Sequence, residues 1–408
     1  MFMLALACRV IVFAGGMTDS SRLFSAPDSD EYVAIARNIA AGHGFSAADA
    51  PPYRPDVRRT PVYPVLIASV LQIPHAGFRT AAAVNLLAGS VTAALTYCLG
   101  LRLFGPGPAL TGGVLMALDL TSITYSVLLL TETSFTLLLV LAVLILADRS
   151  ILPGHAVRAG LLLGVATLCR PIGLLLGPAL LPVVAWRPSG WRAAARAYVL
   201  LNVMFAAMVL PWIVRNLMVA GVLTLSSIGA VNLYFHRAAA VEARLEARNV
   251  ETVRAGWEKR FNVLSADWSE RAKIEWLTRQ AGDVIRSNPG VYLQAYAGGL
   301  ARMAEPDTTE LRQVIGVAEN ARASRALDAV AALQLLIVYA AAGVGLWCAA
   351  RDAKSRRALL VPLTLIVYFI LTAGPEVYAR FRVPIMPYIA LLSGVGVHGL
   401  RARRRERA

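Results

Sequence analysis

Long apolar runs recur along the chain, and they constrain its fold more than any other feature. A helix needs about 17–25 mostly apolar residues to cross a bilayer, and this chain is 57% hydrophobic and only 16% charged. We therefore expect an all-α polytopic membrane protein with about ten transmembrane helices. The expected spans are residues 1–16, 80–101, 108–127, 132–147, 157–169, 171–186, 197–214, 327–349, 358–374 and 383–400.

Basic residues are concentrated in short loops between these runs. A net charge of +15 would suit a nucleic-acid partner, but its placement follows the positive-inside rule, so we reject nucleic-acid binding. If the first long loop lies outside, the inside loops hold fifteen Lys and Arg against three acids; these loops are 102–107, 148–158, 186–197, 350–358 and 401–408. The count predicts a multi-pass protein of the plasma (inner) membrane with both termini in the cytoplasm.

Two long polar segments interrupt the apolar runs, both on the expected outer side. The first external loop, residues 17–79, contains DEYVAIARNIAAG, whose helical spacing predicts an interfacial helix that ends at Gly42 and Gly44. Residues 215–326 are expected to form a small helical external lobe. The domain prediction is an N-terminal membrane module at 1–214, the extracytoplasmic lobe at 215–326, and C-terminal membrane helices with a basic cytoplasmic tail at 327–408.

Two aspartates, Asp28 and Asp30, begin the helix of the first loop. A carboxylate close to the membrane could act as a general base on a hydroxyl. The D-S-D triplet could also hold a divalent cation with oxygen ligands, and acids at a helix start cap it and favour its dipole. Taken alone, the residues favour capping. The four cysteines lie far apart without metal-binding spacing, so they predict no metal site.

Charged side chains gather at the expected outer ends of the helices. Arginine suits a phosphate because its planar fork carries a fixed charge. Arg58 and Arg59 in the first loop, with Arg380 and Arg382 before the last span, could hold one phosphate from opposite ends of the sequence; contact with lipid headgroups is the alternative. Further candidates for the same cavity, each of which could instead be an interfacial anchor, are Glu132, Arg170 and Arg215.

The first loop resembles the D-x-x-x-Y-x-x-x-A-x-x-[IL]-x-x-G-x-G-[FY] pattern of polyprenyl-phosphate-sugar-dependent glycosyltransferases of the GT-C type. The matching residues are Asp28, Tyr32, Ala36, Ile39, Gly42, Gly44 and Phe45. The family's R-x-P-x-Y-P-x-L-x-A is matched by Arg59, Pro61, Tyr63, Pro64, Leu66 and Ala68. TETSFT, LCRPIGLLLGP, PWIVRN and ARFRVPIMPY are similar to later landmarks in the same order. Except at about 240–325, the chain is similar to the protein O-mannosyltransferase and lipid A aminoarabinose transferase superfamily, which is glycosyltransferase family 39-like.

The resemblance implies a GT-C-like fold and a sugar-transfer reaction on the outer side of the membrane. Asp28 matches the aspartate that would deprotonate the acceptor hydroxyl, and Asp30 is the reserve candidate. Arg59, with Arg58 as its neighbour, matches a position that would hold the lipid phosphate, and Arg382 matches the last landmark. The motif tyrosines, Tyr32 and Tyr63, are expected to face the same cavity.

The expected partners are a polyprenyl-phosphate-linked sugar, a glycan, lipid or protein acceptor, and membrane lipids. No cofactor is predicted firmly, although a divalent cation at Asp28 and Asp30 stays open. A transporter or flippase of lipid-linked saccharides is the alternative function, and a scaffold without catalysis is a third. A transporter is expected to place charges near mid-bilayer on discontinuous helices, and Arg9 and Asp119 are the candidates for that position.

Overall fold

A computed structural model describes residues 1–16, 22, 27–148, 152–185 and 190–407 of the chain. Within these ranges all regular structure is helical, which confirms the all-α prediction. The helices of the first half are α1 (Phe2–Gly16), α2 (Pro27–Ala40), α3 (Val62–Leu71), α4 (Phe78–Leu103), α5 (Pro106–Leu118), α6 (Leu120–Val127), α7 (Glu132–Leu146), α8 (Pro153–Cys169), α9 (Leu176–Ala179) and α10 (Leu181–Ala185). A 3₁₀ helix at Pro171–Leu175 precedes α9.

The second half contains one long helix, a run of shorter helices and then the last membrane helices. These are α11 (Trp191–Ala220), α12 (Ile228–Asn232), α13 (Ala239–Leu245), α14 (Val250–Leu264), α15 (Glu270–Ser287), α16 (Pro289–Ala304), α17 (Thr309–Val314), α18 (Ala321–Arg351), α19 (Ala353–Ala358), α20 (Leu360–Thr372) and α21 (Met386–Arg407). A π-helix at Leu233–Ala238 lies between α12 and α13, and a 3₁₀ helix at Ala379–Ile385 leads into α21.

The protein is an integral membrane protein of the polytopic helical class, but the expected count of ten spans is wrong. In the described ranges, five helical segments are long and apolar enough to cross a bilayer: 78–103, 191–220, 321–351, 355–372 and 379–400. The pair α5 and α6 adds a sixth if it counts as one bent span. Other expected spans are short apolar helices or are broken by 3₁₀ turns, because a run of apolar residues does not reveal where a helix is interrupted.

The bent span breaks at Asp119, where α5 and α6 meet at 52°. A break inside the bundle leaves backbone groups without helical partners, and each must be satisfied by other groups. The Asp119 carboxylate accepts from the Ser122 amide at 2.8 Å. Gln334 of α18 bridges the gap, donating to the Leu118 carbonyl at 2.7 Å and accepting from the Leu120 amide at 3.2 Å. The break is therefore built into the packing.

The described part of the first loop, from residue 27 onward, folds into α2, a turn, and α3. Helix α2 ends at Ala40, and Gly42 and Gly44 then adopt φ values of +79° and +82°, which favour glycine. The Asn38 amide donates to the carbonyls of Ser46 and Ala48 at 2.7 and 2.9 Å. The predicted helix and its glycine stop are confirmed, its interfacial position stays a prediction, and the loop returns toward α2.

The predicted external lobe is helical, formed by α12 to α17 with the π-helix at its centre. Its small core is an aromatic cluster in which the Tyr234 ring stacks on Trp257 at 4.5 Å between centroids. Trp276 lies edge-on to Tyr234 at 5.2 Å, and Phe261 lies 5.4 Å from Trp276. These rings bury enough apolar surface to hold short, charged helices together.

Candidate active site

Asp28 lies in the first turn of α2, where acids favour the helix dipole. One carboxylate oxygen, Oδ1, accepts from Nη2 of Arg59 at 2.7 Å. The other, Oδ2, accepts from Nη1 of Arg380 at 2.7 Å. The two arginines are distant in sequence, so the aspartate joins the first loop to the last membrane segment. It is both a residue of the helix start and the centre of a charged site.

The arginine pair of the first loop is shared with Glu31, which the sequence analysis did not select. Glu31 accepts from Arg59 Nε at 2.5 Å and forms an ion pair with Arg58, whose Nη1 lies 3.0 Å from its Oε1. The Arg59 side chain is only 7% exposed, whereas that of Arg58 is 43% exposed. Residues three apart share one helix face, so the spacing of Asp28 and Glu31 was the available signal. Arg58 is the arginine that a ligand from outside can reach first.

Two tyrosines of the motif line the inner side of the site. The Arg59 guanidinium lies over the Tyr32 ring, 4.9 Å from its centroid, and also donates to the Tyr32 hydroxyl at 3.3 Å. Tyr32 packs edge-on against Tyr63 at 5.2 Å. The Tyr63 hydroxyl accepts from Asn85 at 2.8 Å, and the same amide donates to the Leu128 carbonyl at 2.8 Å. Asn85 was missed because a lone asparagine in an apolar helix carries no motif.

Glu132, at the first residue of α7, is the most deeply buried acid of the site. Its side chain is fully buried, and its Oε1 accepts from both Arg380 and Arg170. Its Oε2 has no hydrogen-bond partner among the residues that the structure describes. Arg170 also lies over the Phe381 ring, 5.3 Å from its centroid. A buried charge requires such pairing, since an unpaired carboxylate in the bundle is strongly unfavourable.

Together these groups form one continuous network, here called the acid–arginine cluster. It holds three carboxylates and four guanidiniums, and so carries one net positive charge. Its members are Asp28, Glu31, Arg58, Arg59, Glu132, Arg170 and Arg380. The cluster is therefore suited to a singly charged anion, which would compete with the carboxylates for the arginines.

The protonation of Asp28 is set by its arginine partners. Burial alone would raise the pKa of this carboxyl, but Arg380 and Arg59 outweigh burial and hold the pKa far below the usual aspartate range. The pKa of the Tyr32 phenol is raised by burial, so this tyrosine remains a neutral hydroxyl. Asp28 is therefore an anion at physiological pH, and it gains basicity only if an arginine leaves it.

Asp30 does not join the cluster. It lies on α2 two residues after Asp28 and is exposed, so the two carboxylates point to different sides of the helix. A cation shared by Asp28 and Asp30 stays a prediction, and both Asp28 oxygens are held by arginines. In the described ranges, no group of three or more His, Cys, Asp and Glu has a metal-binding arrangement.

Arg382 is buried, but its hydrogen bonds lead away from the cluster. It donates to the carbonyls of Met303 and Glu305 at 2.6 and 2.9 Å and to the Thr121 hydroxyl at 2.8 Å. In a 3₁₀ helix, with three residues per turn, residues two apart point in different directions, so Arg380 and Arg382 reach different neighbours. The expected phosphate contact of Arg382 has no support from this geometry, which instead ties the lobe to the bent span.

Arg215 also lies apart from the cluster. It donates to the Asp56 carbonyl at 2.5 Å, and its guanidinium lies 4.7 Å from the centroid of the Trp212 ring. Asp56 in turn accepts from the backbone amides of Arg58 and Arg59 at 3.0 and 2.8 Å. Arg215 therefore supports the turn that presents the arginine pair, without touching the acids.

Comparison with known proteins gives a sequence match and several structural matches. Residues 58–214 match the family model described as dolichyl-phosphate-mannose-protein mannosyltransferase. None of the curated proteins compared with the chain matches it significantly.

The structural matches cover nearly the whole chain. The crystal structure of ArnT from Cupriavidus metallidurans bound to undecaprenyl phosphate has a TM-score of 0.54 and 15% identity, covering 97% of this chain and 60% of that one. Archaeal oligosaccharyltransferase AglB from Archaeoglobus fulgidus, in complex with an inhibitory peptide and a dolichol-phosphate, has a TM-score of 0.53 and 14% identity, covering 98% of this chain and 50% of that one. The chain thus spans half to three fifths of the length of these proteins. It has the GT-C fold of membrane glycosyltransferases, as its first-loop motif predicts, and its residues 58–214 match the mannosyltransferase family model.

Proposed function

We propose that the protein is a membrane glycosyltransferase that moves a hexosyl or pentosyl group from a polyprenyl phosphate to an acceptor hydroxyl. The observation that carries the proposal is Asp28 held between Arg59 and Arg380, which places a general-base candidate beside two phosphate-binding groups. The structural relatives support the donor class, since one is bound to undecaprenyl phosphate and another to a dolichol-phosphate. The acceptor is a glycan, a lipid or a protein.

The proposed reaction is a single displacement with inversion. The acceptor oxygen forms a bond to the anomeric carbon while the bond from that carbon to the phosphate oxygen breaks. The acceptor proton passes to Asp28, and the electron pair of the broken bond leaves with the polyprenyl phosphate. Arginines stabilise the charge that develops on this leaving group, and Arg58, Arg59 and Arg380 are the proposed ligands.

Donor binding is also the proposed trigger for the base. With a guanidinium on each oxygen, Asp28 is a weak base. A phosphate offers Arg59 and Arg380 an alternative anion of similar geometry. When either arginine turns to the phosphate, one Asp28 oxygen becomes available for the acceptor hydroxyl, and the pKa of the carboxyl rises.

The proposed setting is the plasma membrane, with the site outside and both termini in the cytoplasm. The positive-inside count supports this orientation. A C-terminal reporter that is active only in the cytoplasm tests it, since the proposal requires a signal there. A silent cytoplasmic reporter, together with a signal from a C-terminal reporter that is active only outside the cytoplasm, would show that the topology is reversed.

The flippase alternative finds one of its expected features in the structure, because α5 and α6 form a discontinuous span at Asp119. However, Asp119 caps α6 through the Ser122 amide. Arg9 is buried and donates to the carbonyls of Ala5 and Ala117 at 3.2 and 3.3 Å. Asp119 and Nη1 of Arg9 thus bond to backbone groups at or next to the break, so we favour the transferase.

The test combines transfer and flipping assays on the purified protein. A polyprenyl-phosphate sugar and a panel of acceptors are supplied in detergent, and wild type is compared with Asp28→Asn and the matched control Asp30→Asn. The proposal expects transfer by wild type and by the control, and loss of transfer by Asp28→Asn. Movement of the lipid across liposomes without any transfer would replace it by the flippase.

A further inference from the structure

The non-helical segment before Arg380 is held in position by contacts with the lobe. After α20 ends at Thr372, the chain runs without helix to the 3₁₀ helix that begins at Ala379. Within it, Ala373 and Pro375 are buried. A non-helical segment has few internal hydrogen bonds, so its position depends on what surrounds it. Here the surrounding groups come from the π-helix and α16 of the lobe.

One lobe side chain, that of Arg237, contacts this segment at two points, Thr372 and Glu376. Its Nε donates to Oε1 of Glu376 at 3.0 Å, and its Nη2 lies 2.9 Å from the same oxygen. Nη2 also donates to the Thr372 carbonyl at 3.3 Å. The Glu376 side chain is almost fully buried. A charge pair shielded from solvent is sensitive to removal of one partner, because the other charge is then left unpaired.

Helix α16 supports the same segment from a second side. Gly299 lies directly against Gly374 and Pro375, leaving no space for a side chain. Arg302 donates to the Pro375 carbonyl, and Tyr296 donates to the carbonyl of Ile370 at the end of α20. The segment therefore lies between two lobe elements: α16 bonds to its backbone carbonyls, and Arg237 forms an ion pair with its Glu376.

Arg237 belongs to the π-helix at Leu233–Ala238, which also carries Tyr234 and Phe235 of the aromatic cluster. A π-helix is an uncommon conformation that often marks a functional position, since it shifts the side chains that follow it. Here one face of the turn packs into the lobe core, and the other presents the guanidinium to Glu376. The lobe core is thus connected to the segment before Arg380.

We propose that Arg237 is a positioning residue that places Arg380 against Asp28 and Glu132 by fixing the segment from Thr372 to Glu376. Arg237 does not touch the reacting groups. It acts through Glu376, four residues before Arg380, so that motion of the lobe changes the geometry of the arginine in the site. The role in donor binding rests on the proposed function, whereas the fixing of the segment does not.

The experiment compares Arg237→Met with Arg271→Met in the full-length protein. Arg271 is a matched control because it pairs with Glu275 at 2.7 Å on an exposed face of the lobe. The first readout is amide hydrogen exchange of residues 373–381. We expect about tenfold faster exchange in Arg237→Met and an exchange rate equal to wild type in the control. The second is binding of undecaprenyl phosphate to the folded variant, where we expect about tenfold weaker affinity than in wild type and in the control.

Two further variants make the result decisive. The reversal Arg237→Glu with Glu376→Arg restores the charge pair and is expected to recover most of the exchange protection, which a loss of general packing would not allow. Glu376→Gln takes the place of Arg237→Met if that variant does not fold. Unchanged exchange in a folded variant overturns the proposal. Wild type that fails to bind undecaprenyl phosphate overturns the proposed donor, while the exchange data still decide the positioning role.

Discussion

Replacing Asp28 by asparagine separates the base from the phosphate site. The substitution keeps the shape of the side chain and its ability to accept a hydrogen bond from an arginine, but removes the charge and the basic oxygen. If Asp28 is the general base, turnover falls by about 10²–10⁴-fold. The affinity for the lipid phosphate should instead rise, because the arginines lose a competing anion.

The size of the second effect follows from the geometry. A phosphate that replaces Asp28 on Arg59 or Arg380 would lie about 5 Å from the carboxylate, where two like charges repel by ~3 kcal/mol at an effective dielectric constant of about 20. The Asp28 side chain is 31% exposed, so solvent screening reduces this repulsion. A net gain of roughly tenfold in affinity for the phosphate is expected in Asp28→Asn.

The assay measures both quantities on the same preparations. Undecaprenyl phosphate binding and sugar transfer are compared for wild type, Asp28→Asn and the control Asp30→Asn, whose exposed carboxylate does not join the cluster. Tighter binding with almost no transfer supports the assignment. Transfer within tenfold of wild type, or an equal loss in Asp30→Asn, would refute it.

Three further predictions concern stability and the remaining charges. Glu132→Gln removes the anion that pairs with the buried Arg170 and leaves Arg380 with Asp28 alone, so we expect the free energy of unfolding to fall by about 3–5 kcal/mol, seen as a lower thermal midpoint in detergent; Glu258→Gln on the exposed lobe surface should leave the midpoint unchanged. Because folding lowers the pKa of Asp28, its contribution to stability is complete above the usual aspartate pKa of about 4 and is lost as pH falls below it. The thermal midpoint of wild type should therefore fall in acid, and Asp28→Asn should reduce that fall in a plot of midpoint against pH. Arg382→Met should lower the midpoint but leave the affinity for undecaprenyl phosphate within about threefold, since its hydrogen bonds hold the backbone; a larger loss of affinity would return Arg382 to the phosphate site.

The sequence identified most members of the acid–arginine cluster, but not the contacts among them. Asp28 and Arg59 were found because a motif spacing joins a helix start to a turn, and both depend on local structure. Local composition does not separate Arg380 from Arg382, and the resemblance to the last landmark pointed to Arg382, whereas Arg380 is the one that contacts Asp28. Only the 3₁₀ turn that carries them decides which one faces Asp28 and which one faces the lobe.

The count of membrane spans failed for a related reason. Hydrophobicity measures the environment of a run of residues, but a helix ends where side chains satisfy its free backbone groups. Gln334 performs that role for the break at Asp119 from more than 200 positions away. Such a contact leaves no local pattern, so α5 and α6 were expected as one straight span.

The length of α7 has a consequence for how a lipid would reach the arginines. Its 15 residues extend about 22 Å at 1.5 Å per residue, which is less than the hydrocarbon thickness of about 30 Å in a typical bilayer. A helix this short could cross the bilayer only where the bilayer is locally thinner; otherwise one of its ends lies below the headgroups. Glu132 stands at the first residue of that helix, with Arg170 and Arg380 beside it. The phosphate of the proposed polyprenyl-phosphate donor would then meet these arginines while its hydrocarbon chain stays within the membrane.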